Sequence, residues 1–387
     1  MLESIDNLME RHDSLLAPYA VKHSQPKARS TTEPKDTTRF PFQKDRDRIY
    51  YSGAFKRTRD KTQVIKTNIR DHNMMRMLHE LQVSVVGRSI GRRLRANEDL
   101  IEAIALGHDL GHTPWGHAGE ETLDAKMKEV DPTFEFEHNK QSLRVVDVIE
   151  NLNLTEETRE GLMKHQSSYD NPNIKFKKSP HIEAQVVDIA DEVAYTGHDL
   201  NDGLRSKIIK LKDVMSLDLW KIAHEKVAET ENIADMDEAK YIQRCVSEII
   251  GFLIGDVCTQ TDKNLSSKKI NSPEKVRAFD GKLVTFSPKV SRLVKETGKF
   301  LREKFYFTPQ VQKVNMEGQK IISDLFDFYY ADTNKLPLKY KIMIKNGEHP
   351  AVVVKDYIAG MTERFATQEW RKHCNKAAKK PVNKNAK

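Results

Sequence analysis

A mainly α-helical fold in one large domain is predicted by three features of this 387-residue chain. Apolar residues recur with the helical period along most of it, capping residues stand where those runs begin, and strand-type alternation is scarce. Residues 1–47 read as an N-terminal arm, because Pro26, Pro34 and Pro41 fall among Ser, Thr and charged residues. In 74–94, His79, Val83, Val86 and Ile90 form an i, i+4, i+7, i+11 stripe, which places an imidazole on the buried face of a helix. Asn97 is the expected N-cap of the next helix, with Glu98 and Asp99 in its first turn. Its apolar row through Ile101, Ile104 and Ala105 leads to His108. Helical patterning continues over 139–151, 155–165, 181–204, 214–229, 238–257, 289–305 and 311–330. Segments 282–287 and 305–309 carry the only strand signals and predict at most a small β-hairpin. No internal repeat is visible, and the domain is expected to span 48–370.

Bulk composition narrows the class. Hydrophobic residues make up 38% and charged residues 31%, which suits a water-soluble domain, and the apolar runs are too short to span a bilayer. Residues 1–11 carry acids and no apolar stretch of signal-peptide type. Three widely spaced cysteines do not make a disulfide framework, so a reducing cytoplasm is the expected compartment. The formal charge of +7 is local: residues 371–387 hold seven Lys or Arg and no acid, and subtracting them leaves 1–370 neutral. This basic tail is expected to be disordered, with at most weak attraction for single-stranded nucleic acid.

The densest chemistry lies in 104–120, Ile-Ala-Leu-Gly-His-Asp-Leu-Gly-His-Thr-Pro-Trp-Gly-His-Ala-Gly-Glu. His108 and Asp109 are adjacent at the end of an apolar run, where two side chains can share one metal ion. Gly111, Pro114 and Gly116 break the helix and allow His112 and His117 to fold back. Nitrogen and oxygen donors without a thiolate suit Mn²⁺, Fe²⁺, Mg²⁺ or Co²⁺, and Zn²⁺ also fits. Such an ion activates water or polarises a phosphoryl oxygen. A single ion needs further ligands, and His79 on its buried stripe is the upstream candidate. Downstream, Asp188, Asp191, Tyr195 and Asp199 share one helix face at i, i+3, i+7 and i+11. Carboxylates on a face so rich in Val, Ile and Ala are costly unless paired or metal-bound. Spacing leaves open whether Asp188 or Asp191 is the ligand.

The pattern His79, His108–Asp109 and an Asp191-type carboxylate resembles the HD phosphohydrolase superfamily. The likeness narrows with "RDRIYYSGAFKRTRDKTQV" (46–64), "DHNMMRMLHELQV" (71–83), "NEDLIEAIALGHDLGHTPWGHAGE" (97–120), "FEHNKQSLRVV" (136–146), "EAQVVDIADEVAYTGHDLNDGL" (183–204) and "DYIAGMTERFA" (356–366). In that order, over roughly 40–370, these blocks resemble the deoxyguanosine triphosphate triphosphohydrolases. The resemblance implies an HD-domain helical fold that releases intact triphosphate from a deoxynucleoside triphosphate, with dGTP the favoured substrate. It makes Asp191 the fourth metal ligand beside His79, His108 and Asp109, with a further Mg²⁺ arriving on the triphosphate. It casts His117 as the catalytic acid oriented by Glu120. Tyr195 would lie along the deoxyribose, and Asp199 and Gln63 would clamp its 3′-hydroxyl. Arg76, Arg57, Lys61, His112 and His138 match basic positions near the phosphates. A homo-oligomer, with a hexamer as one form, and a nucleotide effector are also implied. The chain departs from the family pattern at Met74, Leu78 and Gln82. The same metal box serves rival activities on nucleoside monophosphates, cyclic dinucleotides or alarmones, and a non-catalytic dNTP or single-stranded DNA sensor is the alternative outside enzymes.

Overall fold

The computed structural model describes residues 2–64, 74–166 and 178–375. Among these the secondary structure is helical, with two isolated β-bridges, Arg29 to Thr155 and Thr62 to Met75. Segment 376–387, most of the basic tail, lies outside the described residues; its first residues, Arg371 to His373, close a helix.

Helix α1 (Ile5–Leu15) precedes the expected start of the domain at residue 48, and α2 (Pro41–Tyr51) runs across it. The arm is therefore not a free extension. Pro41 occupies the first turn of α2, where its missing N–H costs nothing, so it begins a helix and does not exclude one. Ala17, Ala20, Val21, Phe40 and Phe42 are buried. Arg29 pairs with the fully buried Asp45, and the Lys27 amide donates to Glu157.

The larger core forms where α3 (Arg76–Leu94), α4 (Glu98–Gly107) and α8 (Ile182–Arg205) pack on one another. All four residues of the His79 stripe are buried. Asn97 caps α4 by accepting from the Leu100 amide. Helices α5 (Gly116–Val130), α6 (His138–Arg144) and α7 (Glu156–Met163) lie between α4 and α8 in the chain. Gly111 admits α6: a Cβ there would sit 2.1 Å from the His138 carbonyl oxygen.

After α9 (Asp218–Thr230), α10 runs Glu238–Ser267, ten residues beyond the sequence expectation, because Val257, Thr261 and Leu265 continue its buried row. The expected hairpin does not form. Leu283 and Val284 are buried, but their amides donate to the Gln185 side chain and not to a partner strand. Residues Arg302–Tyr306 make a π-helical turn after α11 (Pro288–Leu301). A second core joins α12 (Pro309–Ala331), α13 (Pro350–Ala359) and α14 (Glu363–His373) to α5. No helix among the described residues is long and apolar enough to cross a membrane.

Candidate active site

A cavity of about 440 Å³ opens between the two cores, walled by α3, the 109–117 turn, α8 and the start of α12. That size suits a nucleotide-scale ligand. His79 comes from the first turns of α3, His108 caps the C-terminus of α4, Asp109 follows it, and Asp191 projects from mid-α8. His79 Nε2 lies 3.1 Å from Asp191 Oδ1 and 3.8 Å from Asp109 Oδ2, and His108 Nε2 lies 3.4 Å from Asp109 Oδ1. Bonds of ~2.1 Å to one divalent ion place neighbouring donor atoms ~3.0–3.4 Å apart, so the His79–Asp191 and His108–Asp109 spacings fit such an ion and the His79–Asp109 spacing is slightly wide.

The protonation pattern tests the fit further. His108 Nδ1 is 2.7 Å from the Ala105 carbonyl oxygen, which can only accept. The proton is therefore on Nδ1, and the Nε2 lone pair, fully buried and without a hydrogen-bond partner, faces Asp109. Two acceptors held together in this way call for a cation. Burial holds the His108 pKa down to about 4, so the ring is neutral and able to ligate at neutral pH. Burial would raise Asp109, but the adjacent His108 ring and the Arg76 guanidinium hold it well below the usual carboxylate range. His79 Nδ1 meets His198 Nε2 at 3.0 Å, and His198 Nδ1 meets Asp199 Oδ1 at 2.8 Å. Where His79 Nδ1 donates to His198 Nε2 and His198 Nδ1 donates to Asp199, His79 Nε2 is left as a donor atom for metal; against burial, the Asp199 carboxylate raises the His198 pKa.

Asp188, the other open choice, is turned away from His79. It takes the Lys282 ammonium at 2.9 Å and the Gln166 amide at 3.1 Å, and it lies 3.0 Å from His165 Nδ1. His165 Nε2 in turn stands 3.5 Å from Asp191 Oδ2. His165, two residues past the end of α7, was not singled out in the sequence, yet it is buried and lines the cavity.

Arg76 pairs with Asp109 and also lines the cavity. His112 Nε2 is 3.3 Å from Asp109 Oδ1, and its ring stacks on His138 with centroids 4.0 Å apart. Glu120 reaches both neighbouring imidazoles: Oε2 is 3.3 Å from His117 Nδ1 and Oε1 is 3.0 Å from His138 Nδ1. The half-exposed His117 stands at the cavity wall, ahead of this buried pair. It opens α5 behind a turn in which Trp115 and Gly116 both have left-handed backbones, φ 61° and 52°. For the bulky Trp115 that conformation costs on the order of 1–3 kcal/mol.

Gln63, Tyr195 and Asp199 line the opposite part of the cavity, and the Gln63 Oε1 atom is buried without a hydrogen-bond partner. Tyr306 donates its hydroxyl to Asp199 Oδ2. Tyr306 and Arg302, both from the π-helical turn, line the cavity, and sequence reading did not single them out. Arg57 and Lys61, expected at the phosphates, do not line this cavity. Arg57 pairs with Glu150 at 3.2 Å, and buried Lys61 donates to the His112 and Ala359 carbonyl oxygens at 2.6 and 2.9 Å. Burial lowers the Lys61 pKa to about 7.

Asp202, one turn beyond Asp199, accepts from the Met74 amide at 2.8 Å, and burial raises its pKa to about 6. Its folded pKa exceeds the unfolded value, so between roughly pH 4 and 6 the folded state holds a proton that the unfolded state releases. Stability from this group falls as pH rises through that window. Asp202→Asn keeps an acceptor for Met74 and removes the charge, so it should raise stability by on the order of 2 kcal/mol at pH 7.5. Thermal unfolding measured from pH 7.5 down to 4 should show that gain shrinking; a pH-independent difference would contradict the assignment.

This helical scaffold with clustered His and Asp donors is that of an HD-domain phosphohydrolase: residues 76–196 match the HD domain, and 284–372 match the phosphohydrolase-associated domain. The chain is 38% identical over 379 residues to a deoxyguanosinetriphosphate triphosphohydrolase-like protein of Leptospira interrogans, covering 95% of this chain and 98% of that one. Proteins with the same description from Geobacter sulfurreducens (38% identical, 94% of this chain and 96% of the relative) and Ralstonia pickettii (40%, 92% and 94%) are similarly close. The chain belongs to the deoxyguanosinetriphosphate triphosphohydrolase-like family.

Proposed function

We propose that this protein hydrolyses deoxynucleoside triphosphates to deoxynucleoside and inorganic triphosphate, dGTP being the favoured substrate, and so controls the dNTP pool. The observation that carries the reading is the meeting, around one cavity, of the His/Asp cluster, the His117–Glu120 pair and the Gln63–Tyr195–Asp199 group. His79, His108, Asp109 and Asp191 would hold a divalent ion, which supplies Lewis-acid polarisation of the α-phosphate and lowers the pKa of water. Arg76, His112 and His138 place positive or donor groups on the phosphate side, and Arg302 adds a cation.

Water adds at the α-phosphorus and gives up one proton to solvent, and the bond from that phosphorus to the nucleoside 5′-oxygen breaks. The departing 5′-oxygen needs a proton, and His117 donates it while Glu120 holds the ring. Asp199 and Gln63 receive the 3′-hydroxyl, and Tyr195 against the sugar excludes a ribose 2′-hydroxyl. Incubation with each dNTP, alone and mixed, under Mn²⁺ or Mg²⁺ tests the reaction. Tripolyphosphate is the expected product; pyrophosphate or orthophosphate in its place would favour another phosphohydrolase activity, and stimulation in the mixture would report a nucleotide effector. In the same assay ribonucleotides and 3′-deoxy analogues should react at least about a hundredfold more slowly, because each mismatch crowds the sugar or leaves a buried polar group unpaired. Equal rates would remove Asp199 and Gln63 from the substrate site.

The family also supports a cytoplasmic homo-oligomer, a hexamer being one form, and the basic tail supports weak single-stranded nucleic-acid binding. Sedimentation of the full chain with and without dNTPs tests the first. Binding before and after removal of residues 371–387 tests the second.

A further inference from the structure

His117 follows a strained turn in which Trp115 and Gly116 both have left-handed backbones, and within it the Thr113 hydroxyl donates to the Gly116 carbonyl at 2.8 Å. Further support comes from the C-terminal part of the chain. Glu363, the first residue of α14, is buried, and its carboxylate accepts from the Trp115 amide at 3.3 Å. The same carboxylate takes the Thr62 amide at 2.9 Å and the Thr62 hydroxyl at 2.7 Å. One side chain therefore bridges the turn that delivers His117 and the segment that delivers Gln63. On the other side of Trp115 stands Gly318 of α12: a Cβ there would lie 2.4 Å from Trp115 Cγ and 2.5 Å from Cδ2. The indole is seated against bare backbone while its own amide is tied to Glu363.

We infer that Glu363, together with the Trp115 seat at Gly318, positions His117, so that the C-terminal helices set the aim of the proton donor in the 113–117 turn. Glu363 touches none of the metal-ligand candidates and does not line the cavity. It is a positioning residue acting through the backbone. The inference rests on the reading of His117 as the acid, and its consequence is a dependence of turnover on α12 and α14 that metal loading does not share.

A double-mutant cycle on the full-length, Mn²⁺-loaded protein tests it. Glu363→Gln, which keeps one acceptor oxygen, should lower kcat for dNTP hydrolysis by about ten- to a hundredfold, the scale of a small misplacement of a catalytic group. Bound Mn²⁺ should stay as in the parent, and KM should stay so in Gly318→Ala, which does not touch the Thr62–Gln63 segment. In a His117→Ala background the same change should have almost no further effect, since residues that act as one unit are not additive. Gly318→Ala, which pushes on the indole from the opposite side, should behave likewise and serves if Glu363→Gln does not fold. Multiplicative losses in the doubles, or a change confined to KM or metal content, would overturn the positioning role. Unchanged turnover in His117→Ala alone would instead overturn the reading of the acid, so the two failures are separable.

Discussion

Asp191→Asn should abolish triphosphate release and bound divalent metal together, while leaving the helical fold in place. Asp191 offers one oxygen 3.1 Å from His79 Nε2 and the other 3.5 Å from His165 Nε2. Burial acts to raise its pKa, but the imidazoles of His165 and His79 hold it well below the usual range, so it is ionised wherever the protein is stable. Asparagine fills the same space and keeps an acceptor, but it removes the charge that a hard divalent ion requires. A Lewis acid contributes several kcal/mol to phosphoryl chemistry, and each 1.4 kcal/mol is about tenfold, so the loss should exceed about a thousandfold. Asp109→Ala should be as inactive and also less stable. It leaves the buried Arg76 guanidinium without its carboxylate, a change worth roughly 3–5 kcal/mol where no new partner arrives. Metal analysis, far-ultraviolet circular dichroism and product assay on both variants separate the two effects. Full activity in a verified metal-free preparation of either would remove the metal centre from the mechanism.

Much of this centre was legible in the sequence because a helix converts spacing into a shared face. His79 lies on an apolar stripe, His108 ends an apolar row, and the 188–199 acids repeat at helical intervals, and the structure buries all of them. Asn97 announced its helix because a side-chain oxygen before an apolar run has few better uses than an orphan amide. What periodicity cannot give is direction outside a helix and contact between distant segments. Lys61 and Gln63 are two residues apart, yet one ties down the His112 carbonyl and the other lines the cavity. His165, His198, Arg302 and Tyr306 acquire their roles only when α7, α8 and the 302–306 turn close around the cavity. The 282–287 segment looked strand-like because Leu283, Val284 and Phe286 crowd apolar and β-forming side chains into a short run, and the structure buries all three. Its backbone needs were met by Gln185, a partner that no local pattern reveals. The arm misled for the converse reason, as Pro41, which begins a helix, was counted with Pro26 and Pro34 as a sign of an extended arm.

His117→Ala should reduce kcat by ~10²–10⁴-fold, the usual worth of a positioned general acid, with metal content unchanged. The leaving 5′-alkoxide is strongly basic, so its departure without a proton is the costliest part of the reaction once water has added. Glu120 lies 3.3 Å from His117 Nδ1 and binds the His138 ring and amide through its other oxygen. Burial tends to raise the Glu120 pKa, yet the facing His138 and the hydrogen bonds from His117 and His138 hold it far below the ordinary value. By linkage, the stability Glu120 contributes is fully present above the unfolded glutamate pKa near 4.5, and it is lost only as pH falls below that toward the depressed folded value. Between pH 6 and 9 Glu120 therefore remains a fixed anion and holds the His117 ring throughout. Glu120→Gln should accordingly give a smaller loss than His117→Ala, because the acid survives and only its orientation is loosened. A leaving group that needs no proton isolates the effect: with a p-nitrophenyl phosphodiester in place of a dNTP, the His117→Ala deficit should nearly vanish. An equal deficit on both substrates, or loss of bound metal in His117→Ala, would assign His117 to the metal centre or to the fold and leave the departing oxygen without its proton donor.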